Sequence, residues 1–232
     1  MPQITLSEVS ASYGAHQVLH EVSAEIPRSR ITAVVGANGA GKSSLLNVIA
    51  GILPTSSGTV TRRDSRRPAY VVQRSAVSDT LPITVRATVE MGRWAQRGPW
   101  RRLTRDDRAI VEDCLVRLDI HDLADRRLGA LSGGQRQRAL VAQGLAQRSE
   151  VLLLDEPAAG LDMTARNRID EALRETAEAG TTVLRVTHDL AVARASDHCL
   201  LLHGGSLVAQ GEPAEVLTEE RVRTAWDVPS LW

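Results

Sequence analysis

The sequence predicts an α/β fold with a mainly parallel sheet that is flanked by helices. Two short apolar runs, Ile31–Val35 and Val151–Leu154, are typical of strands buried in a parallel sheet. A glycine-rich octet, Gly36–Ser43, follows the first run and leads directly into a helical pattern. Because strands alternate with helices along most of the chain, the sheet is expected to have helices on both faces. With 232 residues, the chain is predicted to form one domain, residues 1–232.

The other predicted strands differ in character along the chain. The first two are joined by a Tyr13-Gly14 turn and suggest an antiparallel β subdomain, and the last two form a hairpin around Gly204-Gly205. In chain order these strands are predicted at Gln3–Tyr13, Val18–Ile26, Ala69–Val72, Thr181–Thr187, Cys199–Leu202 and Ser206–Ala209.

The predicted helices follow from the period of their apolar residues and from their capping residues. The first runs from Lys42 to about Leu53, before Pro54. The second has Thr104 as N-cap with Asp107 three residues on, and continues to Leu118. Later helices are predicted after Leu131–Gln135, after the N-cap Asp162 and after Pro213. Between Thr80 and Trp100 the pattern is mixed, and the helical subdomain as a whole is placed at roughly 76–148.

The octet GANGAGKS has the form GxxxxGK[ST], in which backbone N–H groups surround a phosphate chain. Gly36, Gly39 and Gly41 permit positive φ and a close approach of the backbone to the ligand. Lys42 is expected to reach the β- and γ-phosphates, and the Ser43 hydroxyl to hold Mg²⁺. Lys42 is also the only lysine among the 28 basic residues, which indicates that the site needs a compact ammonium group.

The apolar run that ends at Leu154 leads into Asp155 and Glu156. In a parallel sheet an aspartate at such a strand end lies beside the phosphate loop, so Asp155 can hold Mg²⁺ and Glu156 can accept the proton of an attacking water. Adjacent acidic residues could also merely cap a turn. Their occurrence together with the phosphate loop favours the catalytic interpretation.

The segment LSGGQ, Leu131–Gln135, predicts a second anion site at a helix start. Ser132 is suited to be the N-cap, and Gly133 and Gly134 expose backbone N–H groups. Two such helix starts in a chain with a single lysine loop suggest that two copies share their ligands.

These motifs together resemble the nucleotide-binding subunit of ABC transporters. The phosphate loop, Gln73, LSGGQ, the LLLDEP that ends at Pro157, the AGLD that ends at Asp162, and His188 occur in the order and spacing of that family over essentially the whole chain. The departures are Ala37 and Val72, where the family often has proline, and Ala158, where it usually has threonine or serine.

The resemblance implies an ATPase with ATP and Mg²⁺ as its cofactors. Glu156 would be the general base and His188 the γ-phosphate contact, with Lys42 and Gln73 completing the catalytic set. Ser43, Gln73 and Asp155 would be the metal site. Tyr13 would stack on adenine, and Asp162 would couple the two sites of a dimer. The implied nucleotide contacts are Tyr13, Gly36, Ala37, Asn38, Gly39, Ala40, Gly41, Lys42, Ser43, Ser44, Ser132, Gly133, Gly134, Gln135 and Asp162.

The family's mode of action implies the partners. Two copies would close head to tail as an ATP-bound homodimer, and integral membrane permease subunits would carry the cargo, with an extracytoplasmic solute-binding protein acting indirectly. The chain would then be cytoplasmic and peripheral on the inner face of the cell membrane. The compact length, the segment 81–93 and the tail 211–220 are similar to importers of zinc or manganese. The alternatives are an iron–siderophore or other small-solute transporter ATPase, or a soluble ABC ATPase outside transport.

Composition limits other functions. The formal net charge is zero, which gives no electrostatic reason to expect nucleic acid as a partner. The isolated cysteines Cys114 and Cys199 fit a reducing compartment, and no stretch approaches 18 apolar residues. In a strand, neighbouring side chains point to opposite faces, so His198, Cys199 and His203 are not expected to form a metal site. The segment Arg93–Arg102, with its two tryptophans, is interpreted as a partner-facing surface in preference to a nucleic-acid surface.

Overall fold

The computed structural model describes residues 1–72, 82–98 and 100–226. Within these ranges the strands form a three-stranded sheet in the order β2-β1-β4 and a six-stranded sheet in the order β5-β6-β7-β3-β8-β9. The strands are β1 (Ile4–Tyr13), β2 (His16–Ile26), β3 (Ile31–Val35), β4 (Thr55–Arg62), β5 (Ala69–Val71), β6 (Val151–Asp155), β7 (Thr182–Val186), β8 (His198–His203) and β9 (Ser206–Gly211).

The helices cover the larger sheet and fill the segment between β5 and β6. They are α1 (Lys42–Ala50), α2 (Val85–Met91), α3 (Trp94–Arg97), α4 (Arg105–Arg117), α5 (Gly133–Ala146), α6 (Met163–Glu178), α7 (Leu190–Arg194), α8 (Pro213–Val216) and α9 (Glu219–Ala225). In the described ranges, no helix combines the length and the apolar character needed to cross a membrane. The predicted limits of the domain and of its helical subdomain stay predictions.

The six-stranded sheet confirms the predicted α/β class. Its strands are parallel except for β9, which pairs antiparallel with β8. Strands β3, β6 and β7 are buried along their whole length, which explains why they are continuously apolar or nearly so in sequence. Since β7 lies between β3 and β6, the segments that follow these three strands meet at one edge of the sheet. Those segments carry the phosphate loop, Glu156 and His188.

Alternation along the buried strands places side chains in separate cores. Val34 and Leu153 belong to the core that includes α1 and the three-stranded sheet. Leu152 and Leu154 belong to the core built from α2, α4, α5 and α6. The central sheet is therefore covered on both faces, and its edge at the strand ends is left for the loops.

Strand β4 was not anticipated by the sequence analysis. Its eight residues are mostly exposed and polar, so neither an apolar run nor a clear alternation marks them. The strand forms by antiparallel pairing with β1 across a register irregularity. There, a Cβ at Gly58 would lie 2.3 Å from the carbonyl oxygen of Glu8, which explains a glycine in mid-strand.

The first helix ends earlier than predicted. Helix α1 stops at Ala50, because Gly51 adopts a left-handed conformation with φ 73° and its N–H bonds to the carbonyl of Val48. The prediction that the helix extends to Leu53 was therefore wrong, and Ile52 is exposed. The helical period of apolar residues continues past the end of α1, so the sequence pattern did not identify Gly51 as the C-cap.

The interpretation of Arg93–Arg102 as one partner-facing surface is wrong for its first residue. Arg93 is only 4% exposed, and its Nε donates to Asp107 Oδ1 at 3.0 Å. Its Nη1 donates to the carbonyl of Ala146, the last residue of α5, at 2.6 Å. Trp100, in contrast, is 95% exposed. Arg93 thus locks helices together, and the partner role of the remaining segment stays a prediction.

Candidate functional site

The phosphate loop turns from β3 into α1 with the backbone that the motif requires. Gly39 and Gly41 have φ of 81° and 94°, and Gly41 forms the N-cap of α1. A Cβ at Gly41 would lie 2.9 Å from the carbonyl oxygen of Val18, so a larger residue has neither the conformation nor the space. Strand, glycine loop and helix start therefore form the arrangement that binds phosphate groups through backbone N–H groups.

Lys42 folds back over its own loop. Its Nζ donates to the carbonyl oxygens of Gly36 and Ala37, at 2.9 and 2.8 Å. Burial lowers the pKa of this ammonium group, while the nearby charges of Glu156 and Asp155 oppose the shift. The ammonium group is therefore fixed at the loop beside two carboxylates, and it is compact enough to bridge two carbonyl groups.

An open cleft of about 700 Å³ lies over the loop. Seven predicted site residues line it: Asn38, Gly39, Gly41, Lys42, Ser43, Ser44 and Glu156. Of the other loop residues, Ala40 is buried, and its carbonyl oxygen accepts a hydrogen bond from the N–H of Gly205. The structure thus brings the loop and the acidic strand end to one cleft.

Asp155, at the end of β6, is buried beside the loop, where the Ser43 hydroxyl and the Lys42 ammonium group act on its carboxyl group. Burial raises the pKa of this carboxyl group, and the charge of Glu156 acts in the same direction, whereas Ser43 and Lys42 oppose them. A carboxylate and a neighbouring hydroxyl offer oxygen ligands of the kind that Mg²⁺ prefers. Gln73, the third predicted metal residue, lies outside the described residues.

Glu156 reaches the cleft from a strained backbone. Its φ is 49°, in the left-handed region that residues with a side chain rarely adopt. Its Oε1 lies 3.7 Å from Nδ1 of His188, which follows β7. Such strain is often found at functional sites, where the surrounding structure holds a side chain in one direction. The two predicted catalytic side chains therefore lie together, although they are 32 residues apart in the sequence.

Tyr13, at the end of β1, is half exposed and accepts a hydrogen bond on its hydroxyl from Asn47 Nδ2 at 2.9 Å. Asn47 belongs to α1, so the contact connects the predicted adenine platform with the helix that the phosphate loop begins. The stacking role of Tyr13 stays a prediction.

The LSGGQ segment, Leu131–Gln135, forms the start of α5 as predicted. Ser132 and Gln135 make a capping box, in which each side chain bonds the backbone N–H of the other. A Cβ at Gly134 would lie 3.6 Å from the Cβ of Ala165. This helix start therefore packs against the start of α6, where the side chain of Asp162 is the N-cap and accepts from Ala165 N at 2.8 Å.

Within the described part of the chain, the structure does not bring LSGGQ to the phosphate loop. None of Ser132, Gly133, Gly134, Gln135 or Asp162 is among the residues that line the cleft. The two predicted anion sites are thus separate features of one chain.

The sequence analysis missed part of the cleft. His16, Gln17, Val18 and His20 from β2 and Gly204-Gly205 from the β8–β9 turn also line it. Two signals were available in the sequence. His16 and His20 share one face of a strand, and the glycine pair Gly204-Gly205 predicted a hairpin but no part in the cleft. No local pattern indicates that β2 and this turn meet, because their contact depends on how the two sheets pack.

The residues present fit a nucleotide with its magnesium ion. The loop offers backbone N–H groups and an ammonium group to phosphates, and Ser43 and Asp155 offer oxygen ligands to the metal. Fold and site together define a protein of the P-loop nucleotide-binding class.

Comparison with known proteins identifies the family. Residues 19–159 match the family model described as ABC transporter, so the chain belongs to this family and is its ATP-binding, ATP-hydrolysing subunit. The manganese transport system ATP-binding protein MntB of Listeria monocytogenes is 35% identical over 95% of this chain and 95% of its own length. The achromobactin transport ATP-binding protein CbrD of Dickeya dadantii is 35% identical over 98% and 89%.

Solved structures agree with the fold. A chain of a transporter assigned to the metal-chelate type of ABC transporter, in an inward-facing conformation, superposes with a TM-score of 0.87 at 27% identity, covering 99% of this chain and 90% of that one. CbiO1 of Clostridium perfringens, part of the CbiONQ transporter complex, gives a TM-score of 0.79 at 29% identity, covering 96% and 93%.

Proposed function

We propose that this chain is the ATP-hydrolysing subunit of an importer of a transition metal, and that two copies close on ATP to drive separate membrane subunits. The observation that carries the proposal is the cleft in which the phosphate loop, with Lys42 and Ser43, meets Glu156, the residue that follows the buried Asp155. The proposal places the chain in the cytoplasm, on the inner face of the membrane.

In this proposal the phosphate loop binds the triphosphate. Backbone N–H groups of Gly39, Gly41 and the first residues of α1 face the phosphates, and the Lys42 ammonium group moves from the loop carbonyls to the β- and γ-oxygens. Ser43, Asp155 and Gln73 hold Mg²⁺. When bound, Mg²⁺ neutralises charge that develops on the phosphate oxygens.

Glu156 is proposed as the general base. A carboxylate fixed at the cleft can accept the proton of a water that attacks the γ-phosphate. In the proposal His188, whose Nδ1 lies 3.7 Å from Glu156 Oε1, donates a hydrogen bond to a γ-phosphate oxygen or orients the carboxylate. The restricted backbone of Glu156 supports this role, because positioning contributes much of the catalysis in phosphoryl transfer.

The separation of the two anion sites supports a shared active site. Because LSGGQ does not line the cleft of its own chain, Ser132, Gly133, Gly134 and Gln135 would bind the ATP held by a second copy. A head-to-tail pair of this kind closes with two-fold symmetry and forms two equivalent sites. Asp162, beside LSGGQ, is then placed to sense the partner's site.

Manganese is the cargo that the relatives favour. Proteins named as manganese transport ATP-binding proteins from Listeria monocytogenes and Bacillus subtilis are each 35% identical to this chain. The second candidate is an iron–siderophore or haem importer, favoured by CbrD and by the hemin import protein HmuV of Rhodococcus jostii, which is 36% identical. Zinc, predicted together with manganese, is retained as a third substrate for the test.

The test is a pull-down of the tagged chain from detergent-solubilised native membranes, followed by reconstitution of the captured complex into vesicles. We expect a multi-span membrane protein in the complex and ATPase activity that rises with Mn²⁺ and the cognate solute-binding protein. Stimulation by a ferric siderophore or by haem instead would identify the second candidate, and stimulation by Zn²⁺ alone would identify the third. Capture of soluble partners alone would contradict transport while leaving the ATPase assignment intact.

A further inference from the structure

An ion pair joins two segments of the proposed site. Arg166 Nη1 lies 2.7 Å from Asp189 Oδ2. Arg166 is in the first turn of α6, where its N–H donates to the carbonyl of Asp162. Asp189 directly follows His188. The pair therefore connects the helix start at Asp162 with the residue next to the predicted γ-phosphate contact.

Asp189 is anchored on its other side as well. Its Oδ1 accepts from the N–H groups of Ala191 and Val192, at 2.9 and 3.4 Å, so the side chain is the N-cap of α7. Its own N–H donates to Thr187 Oγ1 at 3.1 Å. With one carboxylate oxygen engaged by α7 and the other by Arg166, the backbone that carries His188 is held between two helices.

The ion pair lies outside the nucleotide cleft. Arg166 and Asp189 are not among the residues that line the nucleotide cleft. They line a small cavity of about 40 Å³ beside it, together with Glu156, Gly160 and His188. A change in the pair would therefore reach the cleft through the segments that carry the two catalytic side chains.

A second ion pair lies one turn further along α6 and helps to keep this helix on the sheet when the Arg166 contact is removed. Arg185 of β7 is buried, and its Nη1 lies 2.7 Å from Asp170 Oδ1. This pair, together with the apolar face of α6 at Ile169 and Leu173, holds the helix on the sheet. Loss of the Arg166 contact is thus expected to free the His188 segment while α6 stays docked.

We infer that Arg166 is a positioning residue for ATP hydrolysis. Through Asp189 it holds His188 in place beside Glu156. The pair also makes the His188 segment move together with the turn at Asp162. The inference rests on the proposed roles of Glu156 and His188. It deepens that proposal by naming a residue that does not line the nucleotide cleft.

The experiment compares Arg166→Met and Arg166→Lys with Arg168→Met in the full chain. Arg168 is the matched control, because it lies on the same helix and pairs only at the surface, with Glu171 at 3.3 Å. For each variant, steady-state ATPase rates give kcat and KM, and a fluorescent ATP analogue gives the nucleotide Kd. We expect Arg166→Met to lower kcat about tenfold, since small misplacements of catalytic groups are costly, with Kd unchanged. Arg166→Lys should recover most of the loss.

Asp189→Asn provides the second arm, because asparagine can still cap α7 but cannot form the ion pair. We expect it to lower kcat as Arg166→Met does, and the double variant to be no slower than either single one. A kcat of Arg166→Met equal to that of Arg168→Met would overturn the inference. The inference would also be overturned if Arg166→Met and Arg166→Lys lost the same fraction of kcat and both had a lower melting temperature, because this result would indicate a structural role. If Glu156→Gln hydrolyses ATP as fast as wild type, the proposed site itself is wrong. This result differs from the two outcomes that would overturn only the role of Arg166.

Discussion

Glu156 shows how a residue's role can depend on its backbone as much as on its chemistry. It lines the cleft from a left-handed backbone with φ of 49°, a conformation that residues with a side chain rarely adopt. Asp155, one residue earlier, is buried, and burial raises the pKa of its carboxyl group. Two adjacent carboxylates therefore lie in different environments, which suits one to a metal and the other to a proton.

At this scale we predict that Glu156→Gln removes turnover and preserves ATP binding. The amide keeps the shape of the side chain but cannot accept a proton, so kcat should fall at least about 100-fold. Steady-state ATPase assays and equilibrium binding of a fluorescent ATP analogue measure the two effects. Glu178→Gln, at the exposed end of α6, is the matched control and should leave both values unchanged. Hydrolysis by Glu156→Gln at the wild-type rate would show that another group is the base.

A second residue-scale prediction concerns the single lysine. Lys42 Nζ bridges two loop carbonyls at 2.9 and 2.8 Å, a geometry that a planar guanidinium group cannot reproduce in the same space. We expect Lys42→Arg to weaken ATP binding at least about tenfold although the charge is kept. Isothermal titration with ATP and Mg²⁺ measures the change. Arg174→Lys, on the exposed face of α6, is the reverse substitution and should have no effect. Wild-type affinity in Lys42→Arg would mean that charge alone is needed.

At the scale of elements, an ion cluster around the buried Asp107 joins α3, α4 and α5. Asp107 lies 3.0 Å from Arg93 Nε and 2.9 Å from Arg97 Nε, and it completes the capping box with Thr104. Because α5 begins with LSGGQ and ends at the carbonyl that Arg93 contacts, the cluster fixes the far end of that helix. Burial alone would raise the pKa of Asp107, but hydrogen bonds from Thr104 and Arg93 and the charge of Arg97 lower it well below its usual range.

The lowered pKa makes this cluster sensitive to acid. A carboxyl group whose folded pKa lies below its unfolded value contributes stability that is complete above the unfolded pKa and is lost as the pH falls towards the folded pKa. We therefore expect wild type to lose more unfolding free energy between about pH 5 and pH 3 than Asp107→Asn does. Denaturant titrations at several pH values test this. Asp113→Asn, a largely exposed residue of the same helix, should behave as wild type.

Arg93→Met tests the same cluster from the other partner. Removal of one member of a buried ion pair leaves an uncompensated charge, so the free energy of unfolding should fall by about 3 kcal/mol. Denaturant unfolding at neutral pH measures it. A loss no larger than that of Trp94→Ala, at the neighbouring and more exposed position, would show that the cluster adds no stability.

The contact between α2 and α5 gives the next prediction at this scale. A Cβ at Gly92 would lie 2.3 Å from the carbonyl oxygen of Gln143, on the backbone of α5. Gly92→Ala should therefore force the two helices apart and cost about 2 kcal/mol of stability. Gly134→Ala is the control, because its Cβ would meet only ordinary contacts at 3.6 Å and beyond, and it should not lower the melting temperature. Equal melting temperatures for the two variants would contradict the close packing.

At the scale of the whole molecule, the separation of LSGGQ from the cleft leads to a prediction for mixtures of inactive variants. Lys42→Ala inactivates the phosphate loop, and Gly134→Asp blocks LSGGQ with a charge. In a mixed dimer, one of the two shared sites combines the intact loop of one copy with the intact LSGGQ of the other. We therefore expect each variant alone to be inactive and the mixture to recover partial ATPase activity. A mixture as inactive as its components would contradict the shared site.

Across the molecule, local patterns predicted most elements and failed at identifiable places. The buried strands of the six-stranded sheet were recognised because each is an apolar run, whereas β4 is polar and exists only through pairing with β1. The helix start at Thr104 was predicted from its capping box, whereas the end of α1 was misplaced because the apolar period ran beyond Gly51. Apolar runs and capping residues thus predicted elements correctly, whereas the apolar period misplaced one helix end and a strand that forms only by pairing was missed.

The sequence by itself determined the phosphate loop, the acidic strand end at Asp155-Glu156, the capped start of LSGGQ and the family resemblance. The first three depend on residues within one turn or one strand end, where backbone conformation follows from side-chain type, and the resemblance depends on the order of such motifs along the chain. Only the tertiary structure decided that His16, His20 and Gly205 line the cleft, that Arg93 is buried and that Arg166 reaches Asp189. Those contacts join segments distant along the chain, and their geometry is set by the packing of sheets and helices, which no local spacing encodes.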